Sequence, residues 1–180
     1  VGFREVTPFD TKTKIFTIVL ILVGVGTVLY TLTLLIEQTL SGDIRSGFYL
    51  RRMHMQIERL ENHYILCGFG RVGQEIAREL RERGAPFVVI EQTPEQAERA
   101  RAFGYLVIEG DASDERALNR ANIARARCLL AASDSDAGNT YITLTAKSVN
   151  RSCYVVARVA YPQNEEKLRL AGADRVRSLY

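Results

Sequence analysis

From Ile15 to Ile36 the chain carries no charged side chain, with Lys14 before the run and Glu37 after it. No other feature limits the fold as strictly. As a helix the run would measure roughly 33 Å at about 1.5 Å per residue, which matches a hydrocarbon core about 30 Å thick. A soluble protein would have to bury this helix on every side, and nothing else in the 180 residues could wrap it. A secretory signal does not fit either, because the apolar stretch is too long and no small-residue cleavage site follows. The run therefore predicts a single transmembrane helix. Within it, Gly24, Gly26, Thr27, Thr31 and Thr33 predict neighbouring helices, since small residues permit close approach and hydroxyls can bond across or back to their own helix. Gly24 and Gly26 also permit bending.

Ser41 to Asn62 differs in character. It holds Arg45, Arg51, Arg52 and Arg59 with Glu58 and Glu61, while Leu50, Met53, Ile57 and Leu60 recur at helical spacing. This reads as a connector whose later half is helical. Its arginines favour the cytoplasmic side, and Arg4, Lys12 and Lys14 on the other flank oppose that bias. The net charge of +3 is too small to point to nucleic acid and better suits contact with anionic lipid headgroups. The three cysteines, Cys67, Cys128 and Cys153, are odd in number and lie among apolar residues. They predict buried free thiols in a reducing compartment, with no disulfide and no metal.

From Tyr64 onward short apolar runs alternate with helical stretches. Strands are expected at Tyr64–Cys67, Phe87–Ile90, Leu106–Ile108, Cys128–Ala132, Tyr154–Ala157 and near Arg175–Arg177. Helices are expected at Val72–Arg83, Pro94–Phe103, Asp114–Ala121, Ala137–Val149 and Asn164–Leu170. Strands apolar throughout are those of a parallel sheet covered on both faces, and the alternation means βαβ units. The expected fold class is α/β: a Rossmann-like, doubly wound parallel sheet of order 3-2-1-4-5-6, preceded by one transmembrane α-helix.

The sharpest motif is Gly68-Phe69-Gly70-Arg71-Val72-Gly73, which follows the first strand and opens the first helix of that sheet. Here G-x-G-x-x-G stands in the context it requires. Gly68 would make the tight turn, Gly70 would admit a pyrophosphate to the backbone, and Gly73 would let helix and strand approach. Free amides at the helix start then attract anionic oxygens. Glu91 ends the second strand and can accept from ribose hydroxyls, with Gln92 beside it. A carboxylate there repels a 2′-phosphate, so NAD(H) or an adenine nucleotide (ADP, ATP or AMP) is expected over NADP. Asp111 and Ala112 follow the third strand on the adenine side, although Asp111 could equally cap a helix. Ser133 and Asp134 end the fourth strand, and Arg158 after the fifth could meet phosphate or simply lie on the surface. The two histidines, His54 and His63, precede the fold, and no general acid, nucleophile or second substrate domain is evident. The domain is expected to sense a nucleotide rather than react it.

These residues also carry a resemblance. Tyr64 through Gly73, Phe87-Val88-Val89-Ile90-Glu91, Glu109-Gly110-Asp111-Ala112 and Ala171-Gly172-Ala173-Asp174 resemble the N-terminal subdomain of regulators of potassium conductance, also found in potassium-uptake regulators (RCK, or TrkA-N, domains). Val1-Gly2-Phe3-Arg4 is similar to the end of a selectivity filter, and Ile15–Ile36 to the pore-lining inner helix of a two-helix potassium channel, with Gly24 and Gly26 near the family's hinge. The resemblance implies a tetrameric pore, a gating ring of paired regulatory domains, a plasma-membrane location, a cytoplasmic Rossmann domain and potassium as the permeant ion. It divides the chain into the end of a pore loop (1–13), inner helix (14–40), connector (41–62) and regulatory domain (63–180). Val1 in place of Met, and an end before the family's C-terminal subdomain, suggest a piece of a longer chain.

Two departures qualify this picture. Arg4 stands where the filter pattern has its second glycine, whose carbonyl would face the ion. Arg158, Val159 and Ala160 stand where some members bind calcium with carboxylates, so no metal is expected. The reading is a ligand-gated potassium (cation) channel subunit that is not an enzyme. A non-conducting membrane-anchored nucleotide sensor or transport regulator is the alternative, and a membrane-tethered oxidoreductase is a third.

Overall fold

The structure, a computed structural model, describes residues 11–40 and 43–178. The filter-like Val1, Gly2, Phe3 and Arg4 lie outside the described residues. The chain divides into two compact units, the first ending at Phe48 and the second beginning at Tyr49.

In the first unit, helix α1 spans Thr11–Leu40, and Lys14–Thr33 within it is long and apolar enough to cross a membrane. Its Ile, Leu and Val side chains from Ile15 to Leu32 are exposed all round, a surface that suits lipid rather than water. The threonine hydroxyls take the second of the two courses open to them and bond back to their own helix. Thr27 donates to the Val23 carbonyl at 2.7 Å, Thr31 to that of Thr27 at 2.9 Å and Thr33 to that of Leu29 at 2.9 Å. The hydroxyls are thus satisfied within their own helix. α1 runs unbroken through Gly24 and Gly26.

The second unit begins inside helix α2, Asp43–Glu58. Helix therefore starts well before the later half of the connector and takes in Gly47. The sheet domain follows as β1 (Tyr64–Cys67), α3 (Arg71–Glu82), β2 (Phe87–Glu91), α4 (Pro94–Ala102), β3 (Leu106–Glu109), α5 (Glu115–Arg120), β4 (Cys128–Ala131), α6 (Asp136–Val149), β5 (Tyr154–Val159), α7 (Glu165–Leu170) and β6 (Arg175–Ser178). The six strands are parallel in the order β3-β2-β1-β4-β5-β6, as the alternation predicts. Successive strand residues feed opposite cores. Leu66, Val89 and Val107 pack with Ala77 of α3 and Ala97 and Ala100 of α4. Ile65, Val88, Ile90, Leu129 and Val155 pack with Leu118 of α5, Ile142 of α6 and Leu168 of α7. That second core also takes Met53 and Ile57 of α2, exposed by only 3% and 1%. Each such side chain stabilises by roughly 1.5–3 kcal/mol, so the end of the connector is part of the domain.

Polar contacts stitch the same junction. The Asn122 amide donates to the Leu60 carbonyl at 2.9 Å and the Glu58 carbonyl at 3.3 Å, capping the C-terminus of α2. The Asn62 N–H donates to the Arg125 carbonyl at 2.9 Å, and Arg125 pairs with Glu61. His63 is fully buried, and its Nε2 meets the Ala121 carbonyl at 2.8 Å. Cys67, Cys128 and Cys153 are free and buried, and burial pushes the Cys128 thiol up to about 12.

Candidate functional site

β1 and β4 are neighbours whose connecting helices leave toward opposite faces, so their carboxyl ends open the crevice where α/β sheets bind ligands. The glycine turn fills its floor. Gly68 has φ +99°, and a Cβ on it would lie 2.9 Å from the Ala132 carbonyl oxygen. Only glycine fits both the angle and the contact. A Cβ on Gly73 would come within 2.1 Å of the Gly68 carbonyl oxygen, so the close approach made there is to the turn itself. Gly70 caps α3 with φ −67°, and no side chain caps the helix. The amides of Arg71, Val72 and Gly73 thus open the first turn, where the helix dipole favours an anion.

Glu91 sits beside this turn, 8% exposed. Its Oε2 accepts from the Phe69 N–H at 2.5 Å and its Oε1 from the Thr93 N–H at 2.8 Å. A carboxylate offers about four acceptor sites, so ribose hydroxyls can still be received. Asp111 Oδ1 accepts from the Ser113 N–H and hydroxyl, both at 2.8 Å. The capping role considered for Asp111 belongs to Asp114, which accepts from the Arg116 N–H.

Across the cleft, the loop after β4 is pinned from below. Buried Asn139 accepts from the Ser133 N–H at 2.9 Å and donates to the carbonyls of Ser133 and Arg158. Ser135 caps α6 by accepting from the Gly138 N–H at 2.8 Å. Burial works to raise the Asp136 carboxyl, but hydrogen bonds from Asn164, Ala160 and Tyr161 prevail and hold it below the usual carboxylate range.

The resulting cleft has a volume of about 380 Å³, within the roughly 300–1,000 Å³ of small-molecule sites. Of the residues expected in the site, Gly68, Gly70, Glu91, Gln92, Asp111, Ala112, Ser133 and Asp134 line it. Phe69, Arg71, Val72, Gly73 and Arg158 do not. Phe69 turns its ring into the core and offers only its N–H, which Glu91 takes. Val72 packs on that core, and Arg71 is exposed. Arg158 lies within β5 rather than after it, because Arg158 and Val159 pair with Arg177 and Ser178 of β6. Its guanidinium donates to the Ser133 carbonyl at 3.1 Å, behind the lining. The lining residues Thr93, Ser135, Gly138 and Tyr141 carry no motif that would have singled them out, while Gly110 belongs to the Glu109–Ala112 motif and lines the cleft beside Asp111. A larger hollow of about 640 Å³ between α3 and the α4–β3 turn has its cations engaged. Arg78 pairs with Glu75, and Arg81 donates to the Phe103 carbonyl.

Strand order, a glycine turn at the switch point and a carboxylate ending β2 together define a Rossmann-type nucleotide-binding fold. Within that class the chain belongs to the TrkA-N domain family, whose profile matches residues 64–179. This agrees with the resemblance drawn from the motifs. The chain is 39% identical over 97% of its length to potassium channel protein 1 of Methanocaldococcus jannaschii, covering 53% of that protein. It therefore spans about half the length of that relative. The GsuK RCK domain superposes with a TM-score of 0.60 at 30% identity, covering 66% of this chain and 26% of that one. The GsuK channel bound to NAD superposes with a TM-score of 0.62 at 25% identity, covering 97% of this chain and 32% of that one.

Proposed function

We propose that this chain is the inner-helix and regulatory part of a ligand-gated potassium channel subunit, and that NAD(H) or an adenine nucleotide binds its cleft and gates the pore. The observation that carries the reading is the glycine turn, with Gly68 and Gly70 set beside Glu91 in one cleft and leading into the uncapped start of α3. The turn suits a pyrophosphate and the carboxylate suits a ribose. The potassium channel relative, similar across both the apolar helix and the domain, supports the channel assignment, and the NAD-bound GsuK channel supports the ligand. On this reading residues 14–40 line a tetrameric pore in the plasma membrane, behind a filter segment in 1–13. The connector 41–62 then joins the pore to a cytoplasmic regulatory domain over 63–180. These domains pair into a ring, and lipid surrounds the helix. Ligand shifts gating only by binding the two states with different affinity.

The test reconstitutes the full-length parent in liposomes and follows potassium flux with and without NAD, NADH, ADP, ATP and AMP. Flux that responds to one of them, and that response lost in Gly70→Asp, is the expected result. Conduction indifferent to every nucleotide would refute the gating role. Arg4 in the filter-like segment favours a second reading, a membrane-anchored nucleotide sensor or transport regulator that does not conduct. Nucleotide binding without single-channel currents would establish it. Turnover of the nicotinamide cofactor would instead indicate an oxidoreductase.

A further inference from the structure

Asp134 lines the cleft, yet its chemistry opposes an anion. A Cβ built on Gly70 would lie 3.0 Å from Asp134 Oδ1 and 3.5 Å from Oδ2. The carboxylate thus hangs over the open side of the turn at the mouth of α3. Its side chain is 91% exposed, and its near cation, Arg158 Nη1, is 3.9 Å away. That guanidinium also donates to the Ser133 carbonyl, so Asp134 is not neutralised by a dedicated partner. Nor can the loop swing aside readily. Asn139 holds the Ser133 N–H and carbonyl, and the Ser133 hydroxyl donates to the Ser135 carbonyl at 3.2 Å.

We propose that Asp134 is a specificity-determining residue, a negative charge carried on a held loop beside the phosphate position that penalises ligands according to their phosphate charge. The proposal rests on the nucleotide reading of the cleft. The first turn of α3 attracts an anion through its amides, and Asp134 subtracts from that attraction. A dinucleotide carries one charge on each of its two esterified phosphates and suffers a modest penalty. ADP and ATP, with more charge crowded at a free phosphate end, suffer a larger one. The cleft is thereby tuned toward dinucleotides and nucleoside monophosphates and away from triphosphates.

Calorimetric titration of the detergent-solubilised chain, wild type and Asp134→Asn, with adenosine, AMP, NAD, ADP and ATP in buffer containing EDTA tests this. At the dielectric of water, which suits a carboxylate this exposed, unit charges about 5 Å apart interact strongly enough to change affinity roughly fourfold. The variant should bind ADP tighter by about that factor, ATP by more, AMP and NAD by less, and adenosine equally. The gain should shrink in high salt, because exposed charges are screened. Unchanged or weaker ADP binding in Asp134→Asn, with wild type still binding nucleotide, overturns the role of Asp134 alone. A gain as large for adenosine as for ATP overturns it too, since charge would not be the cause. Failure of wild type and variant to bind any of the five overturns the nucleotide reading and this role with it.

Discussion

Glu91 shows how a single residue can hold two duties. Its place at the end of β2 was legible from the sequence, but its bonds to the Phe69 and Thr93 amides were not, because backbone partners leave no trace in a motif. Glu91→Ala should therefore do more than relax ribose recognition. It strands two amides at the edge of the glycine turn, at about 1–3 kcal/mol for each one left unsatisfied. Wild type should prefer NAD over NADP, and the variant should narrow that preference while losing at least tenfold in NAD affinity. Competition binding measures both, and an NADP affinity equal to that for NAD in wild type would contradict the assignment. The glycines divide in a similar way. Gly70 has an angle open to any residue, so Gly70→Asp should fold while binding at least a hundredfold more weakly, its carboxylate lying against the phosphates beside Asp134. A Cβ on Gly73 meets a backbone oxygen that cannot move away. Gly73→Ala should instead lower stability by about 1–3 kcal/mol, the usual cost of overpacking. Thermal melts beside titrations separate the two behaviours, and a melting temperature unchanged in Gly73→Ala would refute the close contact.

Among the elements, strands β1 to β5 were readable because they are largely buried, mostly apolar runs with turns between them, whereas β6 buries only Val176 and was legible only approximately. Misplacement occurred where the deciding partner was distant in sequence. β5 runs on to Val159 because β6 pairs with it, which moved Arg158 off the rim and behind the cleft. α2 was half seen, because only Leu50, Met53, Ile57 and Leu60 form an apolar stripe. The stitching of its end by Asn122 and His63, two residues with no pattern around them, was not seen at all. Asn122 holds a left-handed φ of 55° and caps α2 through its amide, so Asn122→Ala should cost about 1–3 kcal/mol from lost bonds and a strained angle. His63 adds a pH dependence. Burial lowers its affinity for a proton, partly offset by the bond to the Ala121 carbonyl, and its Nδ1 has no partner in the core. Glu61, Arg125 and Arg127 are the charges close to it along the stitched segment. The folded state holds the ring neutral, so the unfolded chain takes up the proton first as pH falls through about 6.5. The stability that His63 contributes is complete above that value and is lost as pH drops toward the lower folded-state value. Thermal unfolding between pH 7.5 and 5 should show a steeper loss for wild type than for His63→Gln, which cannot titrate there. Parallel slopes would refute a neutral buried histidine.

At the scale of the whole molecule, the residues that grip the end of the connector follow directly from one wall of the cleft. Asp111, Ala112 and Ser113 line the cleft, α5 follows, and then come Asn122 and Arg125, which hold Glu58, Leu60, Glu61 and Asn62. A shift of α5 on ligand binding would therefore move the last turn of α2 with it, since Met53 and Ile57 are bedded in the same core as Leu118. This gives the proposed gating a physical route, a helix fixed to the domain instead of a loose tether. A flexible stretch in that route should absorb the motion, because Gly/Ser chains behave as coils whose ends move independently. Inserting a Gly/Ser segment after Leu40, ahead of α2 and its docked end, leaves Glu91, Asp111 and the glycine turn untouched, so NAD or ADP affinity should change by less than about threefold. The insertion lies outside the contacts of Asn122, Arg125, Met53 and Ile57, so the melting temperature of the domain should stay the same. Nucleotide-dependent flux from liposomes holding the full-length parent should fall in proportion to the length inserted, while basal flux persists. Gating that survives a long insertion at full amplitude would exclude mechanical coupling through the link between α1 and α2.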